Sequence, residues 1–174
     1  MPYLLRQIFE LIRLLNSDTG ANAIAAGVAC GLILGFAPAF SLQTVLVIVV
    51  LFLFRIQVGA ALISAFFFAF VAWLLDPLHH AVGVALLEAE ALTPLFTTLY
   101  HMPLVPLTRF YNSITLGAGV VSIALAPFVF LLARRLVNAY RATVAARLRE
   151  TRVWKLWHAT PFYKWYQKYA ELYG

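Results

Sequence analysis

The sequence contains little charge. Charged residues make up 11% of the 174 residues and hydrophobic residues 63%, whereas an ordinary soluble domain carries roughly 25% charged residues. Three stretches, residues 19–54, 56–75 and 110–133, carry no charge at all. Because a transmembrane helix needs about 20 apolar residues, these stretches supply material for three or four spans. The composition excludes an ordinary soluble domain and predicts an integral membrane protein.

Cysteine and the motifs of catalysis are also scarce. The lone Cys30 lies among apolar and small residues, which excludes a disulfide framework and a cysteine-based metal site. No Ser-His-Asp set, Walker loop or dinucleotide fingerprint occurs at usable spacing. Asp76 with His79 and His80 is the only cluster that could bind a metal, and a hydrated helix end explains it without one. We therefore expect no enzyme activity, no cofactor and no metal.

The basic residues are concentrated near the end of the chain. The net charge is +6, and seven of the 13 lysines and arginines lie within residues 134–155, directly after the last apolar stretch. This placement is typical of a topology signal on the cytoplasmic side and argues against nucleic acid as a partner. We expect residues 134–174 to form a basic and aromatic amphipathic tail on the membrane surface, with a protein-binding motif as the alternative. The surface candidates are Arg134, Arg135, Arg141, Arg152, Trp154 and Trp157.

The first 18 residues have the pattern of an amphipathic helix. Apolar residues recur at helical spacing from Leu4 to Leu15, with Arg6, Glu10 and Arg13 on the opposite side, which predicts a helix in the plane of the interface. Such a segment lacks the continuous apolar core of a cleavable signal peptide. We expect both termini in the cytoplasm of a bacterium, and hence an even number of crossings of its inner membrane.

The predicted fold is an all-α integral membrane domain over residues 19–133 with about two full spans. Residues 22–36 and 41–54 flank Pro38 and are short for a core of about 30 Å, so they form either a re-entrant hairpin or two spans in thinned bilayer. Residues 58–75 would then cross outward and residues 113–133 would return. Residues 92–107 contain three prolines, which predicts short or irregular helices on the outer side.

Small residues form a ridge along the first apolar stretch. Ala23, Gly27, Gly31 and Gly35 are spaced four residues apart, and a weaker ridge of alanines at 61, 65 and 69 follows. Such ridges let helix backbones approach closely in lipid. The first ridge packs either against another helix of this chain or against a second copy of the chain in a homo-oligomer.

Six residues are candidates for facing a lipid or a solute. Pro38 breaks the backbone hydrogen-bond ladder, and Ser41, Gln43 and Thr44 follow it; they either line a polar site or cap and satisfy the turn itself. Arg55 is either an intramembrane site or an interfacial anchor whose side chain reaches the lipid phosphates. Asp76 is expected to be the N-cap of a helix that starts at Pro77.

Two motifs resemble an uncharacterised family of small bacterial inner-membrane proteins. They are Gly31-x-x-x-Gly35-Phe36-x-Pro38-x-x-x-Leu42-Gln43-Thr44 and Trp73-x-x-Asp76-Pro77; the family usually has Asn where Asp76 stands. The branch that this chain resembles, with a basic aromatic tail, accompanies AsmA-like periplasmic proteins thought to handle lipids. The resemblance implies a non-enzymatic component of envelope lipid handling that acts with the bilayer and such a partner. The alternatives are a small transporter or channel built from re-entrant hairpins, and a purely structural anchor.

Overall fold

A computed structural model of the chain describes residues 20–145, and all regular structure within them is helical. The predicted interfacial helix of residues 1–18 lies outside the described residues, as do Arg152, Trp154 and Trp157 of the predicted tail. The α-helices are α1 (Ala21–Phe36), α2 (Leu42–Leu53), α3 (Val58–Leu74), α4 (Asp76–Leu87), α5 (Thr93–His101) and α6 (Ser113–Tyr140), and two 3-10 helices cover Glu90–Leu92 and Val105–Thr108. The all-α prediction is confirmed for this part of the chain.

Helices α1 and α3 pack side by side in the same direction. A Cβ atom added at Gly27 would lie 2.8 Å from the Ala60 Cβ, and one at Gly35 would lie 2.7 Å from the Ala65 carbonyl oxygen. Contacts this short leave no room for a side chain, so the backbones touch where small residues face each other. The residue numbers of the contacting pairs increase along both helices, so α1 and α3 are parallel. Helix α2, which connects them in sequence, runs in the opposite direction.

Helix α6 runs back along this pair. Its Val137 packs with Ile24 and Ala60, near the starts of α1 and α3, while its Ala118 packs with Leu32 and Phe36 near the end of α1. The helix is therefore antiparallel to α1 and α3. The chain therefore runs out along α1, back along α2, out along α3 and back along α6.

The chain bends sharply between α3 and α4. The two helices meet at an angle of 74°, and α4 then packs against the first turns of α6. A Cβ at Gly83 would collide with the backbone of Ser113, and one at Gly117 would collide with the carbonyl of His79. Glycines on both helices thus allow a close backbone contact that holds α4 across the start of α6.

Among residues 20–145, one helix is long and apolar enough to cross a membrane. It is α6 with its continuation, Ser113–Thr143, and a second span exists if the bent pair α3 and α4 counts as one. Only 22% of the most apolar window of α6 is buried, and residues such as Phe128 and Leu132 point outward, 69% and 58% exposed. An exposed apolar surface of this kind differs from the core helix of a soluble protein and indicates membrane association.

The remaining helices are shorter than a full span. With 16, 12 and 17 residues, α1, α2 and α3 are about 24, 18 and 26 Å long, against the roughly 30 Å of a hydrocarbon core. The predicted helix at residues 58–75 is present as α3, but α3 alone is too short to be the full span predicted there. The predicted short helices of residues 92–107 are present as α5 and the 3-10 helix that follows it.

Charged side chains separate to opposite ends of these helices. Arg55, Arg134 and Arg135 lie where α1 and α3 begin and α6 approaches its end, which we call the basic end. The three described carboxylates, Asp76, Glu88 and Glu90, follow the exit of α3, at what we call the acidic end. Arg109, which is exposed and precedes α6, is the basic residue described at that end.

The chain divides into two compact units after Val137. The described part of the second unit, residues 138–145, contains the last residues of α6 and a π-helical turn at Arg141–Ala145. In it the Thr143 hydroxyl donates a hydrogen bond of 2.6 Å to the Ala139 carbonyl.

Candidate functional site

The turn between α1 and α2 is closed by side chains. The carbonyl oxygen of Pro38 accepts hydrogen bonds from the Ser41 hydroxyl at 3.0 Å and from the Thr44 hydroxyl at 2.8 Å. The Ser41 oxygen in turn accepts the backbone N–H of Thr44 at 3.3 Å. The predicted N-cap at Ser41 is confirmed, and the polar groups of Ser41 and Thr44 satisfy the turn that Pro38 creates.

Gln43 does not take part in the turn. Its side chain lies against α6, where a Cβ added at Gly119 would be 3.4 Å from the Gln43 Nε2 atom. This nitrogen is buried and has no hydrogen-bond partner among the described residues. Leaving a buried amide unpaired costs about 1–3 kcal/mol, so a ligand that accepts a hydrogen bond from Gln43 would recover this cost.

The amide of Gln43 lies in the wall of a cavity of about 340 Å³. We call this cavity the Gln43 groove. Its size falls in the range of sites for small molecules, roughly 300–1,000 Å³. Its walls come from α1, α2, α6 and the segment before α6: Ile33, Gln43, Leu46, Val47, Thr108, Phe110, Thr115, Leu116, Gly119, Val120 and Ile123.

Apart from Gln43, the polar residues of this lining are two threonines. The Thr108 hydroxyl is engaged, because it donates to the Val105 carbonyl at 2.7 Å. Within residues 20–145, the only hydrogen bond shown for Thr115 is from its backbone N–H to the Asn112 side chain, at 3.1 Å. The groove is therefore a mainly apolar space whose polar groups are the unpaired Gln43 amide and the Thr115 hydroxyl. This arrangement suits a ligand with a hydrocarbon body and a hydrogen-bond acceptor.

The Gln43 groove lies nearer the acidic end than the basic end. Gly119 follows Ala118, which packs with Leu32 and Phe36 in the last turns of α1. Gln43 itself stands in the first turn of α2, directly after the turn at Pro38. The groove therefore lies in the half of the helical domain that contains the C-terminal ends of α1 and α3.

Asp76 is the first residue of α4 and makes no capping hydrogen bond, with Leu75 at the N-cap position. The prediction that Asp76 is the N-cap is wrong, because the backbone of Leu75 (φ −92°, ψ 5°) is already close to helical and starts the helix one residue early. The Asp76 carboxylate remains favourably placed in the first turn, near the positive end of the helix dipole.

The two histidines after Asp76 point in different directions. His79 is fully buried, with its ring centroid 4.9 Å from that of Phe36 and its Nδ1 atom 3.9 Å from the carboxylate of Asp76. His80 is exposed and its Nδ1 atom lies 2.7 Å from the Ser113 hydroxyl. The first histidine packs α4 on α1, and the second ties α4 to the start of α6.

Arg55 closes α2 in the left-handed conformation. Its φ is 50°, the N–H of Ile56 donates to the Leu51 carbonyl at 2.9 Å, and its own N–H donates to the Phe52 carbonyl at 3.3 Å. These two bonds form a Schellman motif, in which glycine normally occupies the left-handed position. An exposed arginine there indicates that a charge is kept at the basic end at some conformational cost.

Replacing Arg55 with glycine is expected to stabilise the fold. Glycine removes the cost of about 1 kcal/mol that a side chain bears in the left-handed region, so Arg55→Gly should raise the Tm of the detergent-solubilised protein by a few degrees, roughly 4 °C. Arg55→Ala, which keeps a Cβ atom, is the matched control and should show no increase. A fall in Tm for Arg55→Gly would mean that the arginine side chain itself holds the structure together.

The structure does not bring the six site candidates together. Pro38, Ser41 and Thr44 form the turn, Gln43 lines the groove, Arg55 lies at the basic end and Asp76 at the acidic end. The packing residues Gly27, Gly31 and Gly35 meet α3, and Ala23 is half-buried at the start of the same helix. The ridge thus finds its packing surface within the chain. Arg134 and Arg135 are exposed, and Arg141 begins the π-helical turn of the second unit.

The sequence alone does not predict Gly119 or Phe110 as site residues, and it does not predict the burial of His79. Gly119 faces Gln43, Phe110 lines the groove, and His79 is buried at the contact of α1 with α4. The spacing Gly117-x-Gly119 near the start of a predicted span was a usable signal of close approach. Nothing in the local sequence marks Phe110. The sequence does mark His79, but as part of a hydrated helix end, and its complete burial shows that this explanation is wrong for His79.

Comparisons with known proteins place the chain in a bacterial family. No solved structure matches it. A protein of Treponema pallidum (strain Nichols), named "Uncharacterized protein", is 32% identical over 162 residues, which cover 92% of this chain and 99% of the relative. The model of a family described as "Uncharacterized protein conserved in bacteria (DUF2062)" matches residues 5–145. Because this match covers most of the chain, including α1 to α6, the chain belongs to that bacterial family.

Proposed function

We propose that this protein is a non-enzymatic component of envelope lipid handling in the bacterial inner membrane, and that the Gln43 groove holds a lipid acyl chain. The observation that carries the proposal is the unpartnered, buried amide nitrogen of Gln43 in a mainly apolar cavity. A phospholipid offers both features that such a cavity lacks: hydrocarbon to cover the walls and an ester carbonyl to accept the hydrogen bond.

The distribution of charge supports an orientation. Arginines near the ends of membrane helices favour the cytoplasmic side, so the basic end with Arg55, Arg134 and Arg135 would face the cytoplasm. In this multi-pass arrangement both termini are cytoplasmic and the acidic end faces the periplasm. The Gln43 groove then lies in the periplasmic half of the membrane.

The surroundings of the groove favour entry of a lipid from the side. Helix α2 contributes part of the lining, and among its own residues only Leu51 is buried. Its outward side chains, such as Phe52 at 68% and Val49 at 53% exposure, would contact acyl chains in a membrane. With a length of about 18 Å, α2 would also leave the bilayer beside the groove thinner than its usual core, since the membrane adjusts to a short apolar segment.

The sequence resemblance supplies the partner in this proposal. A groove in the periplasmic half of the membrane is placed to pass a lipid to a protein outside it, and an AsmA-like periplasmic protein is the partner that the resemblance implies. The acidic end, with its three carboxylates, is the surface that such a partner would meet. The basic cytoplasmic tail would hold the protein on anionic headgroups.

Replacing Gln43 with methionine is expected to weaken lipid binding without destabilising the protein. The substitution keeps the length of the side chain but removes the unpaired donor, so the Tm of delipidated protein should stay the same or rise. A lost hydrogen bond of about 0.5–1.5 kcal/mol corresponds to about 2–10-fold weaker binding. Native mass spectrometry of a phospholipid titration measures the affinity.

The matched control for Gln43→Met is Thr44→Val, which removes the hydroxyl that serves the turn at Pro38. This variant should lower the Tm and leave the affinity of folded protein for lipid nearly unchanged. If Gln43→Met instead lowered the Tm and left lipid binding intact, the amide would be structural and the proposed site would be wrong.

The partnership is tested in the cell. Crosslinking in native membranes followed by purification is expected to recover a periplasmic AsmA-like protein, and deletion of the gene should alter envelope lipid composition and the permeability barrier. If no periplasmic partner were recovered and both envelope properties were unchanged, the proposed role would fail. If residues 19–133 could be replaced by unrelated spans without loss of function, the protein would be only an anchor.

A further inference from the structure

A second cavity of about 280 Å³ lies beside the Gln43 groove, and we call it the aromatic pocket. It is formed by the end of α4, by α5 and by the segment before α6: Leu87, Phe96, Thr97, Tyr100, His101, Phe110 and Tyr111. Phe110 lines both cavities. It is 9% exposed and therefore forms a wall between them.

Tyr111 stands at a large angle to two other rings of the aromatic pocket. Tyr100 and Tyr111 meet at 81° with centroids 6.2 Å apart, and Phe110 and Tyr111 meet at 72° with centroids 6.3 Å apart. Phe96 stacks on Phe110 at 17° and holds it in place. Rings in perpendicular orientation form adjoining walls, the arrangement by which aromatic cages surround a quaternary ammonium group.

The charges around the aromatic pocket favour a cation. No lysine or arginine is among its lining residues, and Glu88 directly follows Leu87 of the lining, with Glu90 two residues further on. Arg109 likewise directly precedes Phe110, and none of these three charged residues lines the cavity itself. The faces of the rings attract a cation, and the two carboxylates and one guanidinium that adjoin the lining in sequence carry a net negative charge.

We propose that the aromatic pocket binds an alkylammonium group. Two sources carry this chemistry: the choline headgroup of a lipid, or a small free cation such as choline. A lipid would have its acyl chain in the Gln43 groove and its headgroup beyond Phe110. This extension rests on the proposed function, whereas binding of a free cation does not.

Choline and its isostere 3,3-dimethyl-1-butanol have the same shape, but only choline is charged. Comparing their affinities therefore distinguishes a site that recognises a cation from a cavity that accepts any apolar group of that size. The full chain in nanodiscs of phosphatidylglycerol, which contains no amine, would be titrated with each compound and followed by saturation-transfer NMR. We expect choline to bind at least about fivefold more tightly than the isostere, the factor expected for a cation held on aromatic faces. Equal binding of the two compounds, or no binding of choline, would overturn the proposal.

Substitutions of the exposed tyrosines locate the binding. Tyr100 and Tyr111 are 56% and 55% exposed, so replacing them should leave the fold intact, which an unchanged Tm verifies. Tyr100→Ala and Tyr111→Ala should each weaken choline binding about fivefold or more, while Tyr100→Phe, which keeps an aromatic face, should retain it. Unchanged choline binding in both alanine variants would place the cation elsewhere and refute the site.

The source of the cation is tested by blocking the groove. In Gly119→Leu, binding of a phosphatidylcholine with short chains should fall at least about tenfold if the headgroup and acyl chain share the two cavities, while free choline should bind as before. If both ligands bind Gly119→Leu normally, the pocket serves a free cation and the acyl-chain proposal fails separately. If neither lipid nor choline binds the unaltered protein, the aromatic pocket is not a cation site.

Discussion

A leucine at position 31 is expected to separate α1 from α3 and unfold the helical domain. Even a Cβ atom at Gly31 would collide with the Ser64 hydroxyl and lie 2.5 Å from the Ala61 carbonyl oxygen and 3.0 Å from the Ala65 nitrogen. The last two are backbone atoms of α3 that cannot move without the helix. Overpacking at such a contact costs about 3 kcal/mol or more, which should lower the Tm in detergent by roughly 10 °C or prevent recovery of folded protein.

The control for Gly31→Leu is Asn22→Leu, which adds the same side chain at an exposed position on α1 and should be tolerated. The milder Gly31→Ala keeps the test informative if the leucine variant does not fold. Its loss of stability should be partly reversed by Ser64→Ala, because that change removes the hydroxyl oxygen but not the backbone contacts. A Gly31→Leu protein as stable as the unaltered one would show that α1 and α3 do not pack through this ridge.

A leucine at position 119 is expected to empty the Gln43 groove of lipid while the protein stays folded. The three atoms nearest to a Cβ at Gly119 belong to the Gln43 side chain, at 3.4–3.8 Å, and Gly119 lines the groove, so we expect the added side chain to extend into it. Leucine also favours a helix over glycine by about 1 kcal/mol. We expect at least about a tenfold loss of lipid affinity, equal to about 1.4 kcal/mol, with an unchanged or higher Tm. Native mass spectrometry and a thermal melt on the same preparation measure both quantities.

Ala124→Leu is the matched control for Gly119→Leu. Ala124 is exposed on the same helix and is not part of the groove lining, so the added leucine should leave lipid binding unchanged. The envelope defects of a deletion strain should be complemented by the control variant and not by Gly119→Leu. Equal lipid binding by both variants would contradict a role for the groove.

The pairing of the helices was largely accessible from the sequence. The four-residue spacing of Gly27, Gly31 and Gly35 marks one face of α1, and the alanines at 61 and 65 mark a matching face of α3. Both ridges are local patterns, so they can be read without knowing the fold. What they do not specify is the choice between a partner helix in the same chain and one in a second copy, since either satisfies the same close contact.

The turn at Pro38 was accessible for the same reason. A proline followed three residues later by serine predicts a capped helix start, and the structure has Ser41 as the N-cap of α2. The bonds of Ser41 and Thr44 are made within six residues of Pro38. Local hydrogen bonds follow from local sequence, which is why this part of the prediction is confirmed.

The site itself depends on contacts between distant parts of the chain. Gln43 looked equivalent to Ser41 and Thr44 in the sequence, and its separation from them is set by Gly119, which is 76 positions later. The wall formed by Phe110 likewise depends on how the segment before α6 returns to the helices. A local sequence pattern does not show which residues from distant parts of the chain come together. The sequence therefore predicts Gln43 as a candidate site residue, but it does not predict the residues around it.

Photocrosslinking shows whether the Gln43 groove holds a lipid acyl chain. A phospholipid with a diazirine in its acyl chain would be added to delipidated protein at equimolar amounts, irradiated, and its attachment sites mapped by mass spectrometry. We predict that attachment concentrates on groove residues such as Leu46 and Val120 and is lost in Gly119→Leu. Attachment spread over the outward residues, such as Phe52 and Phe128, and unchanged in Gly119→Leu would contradict the claim.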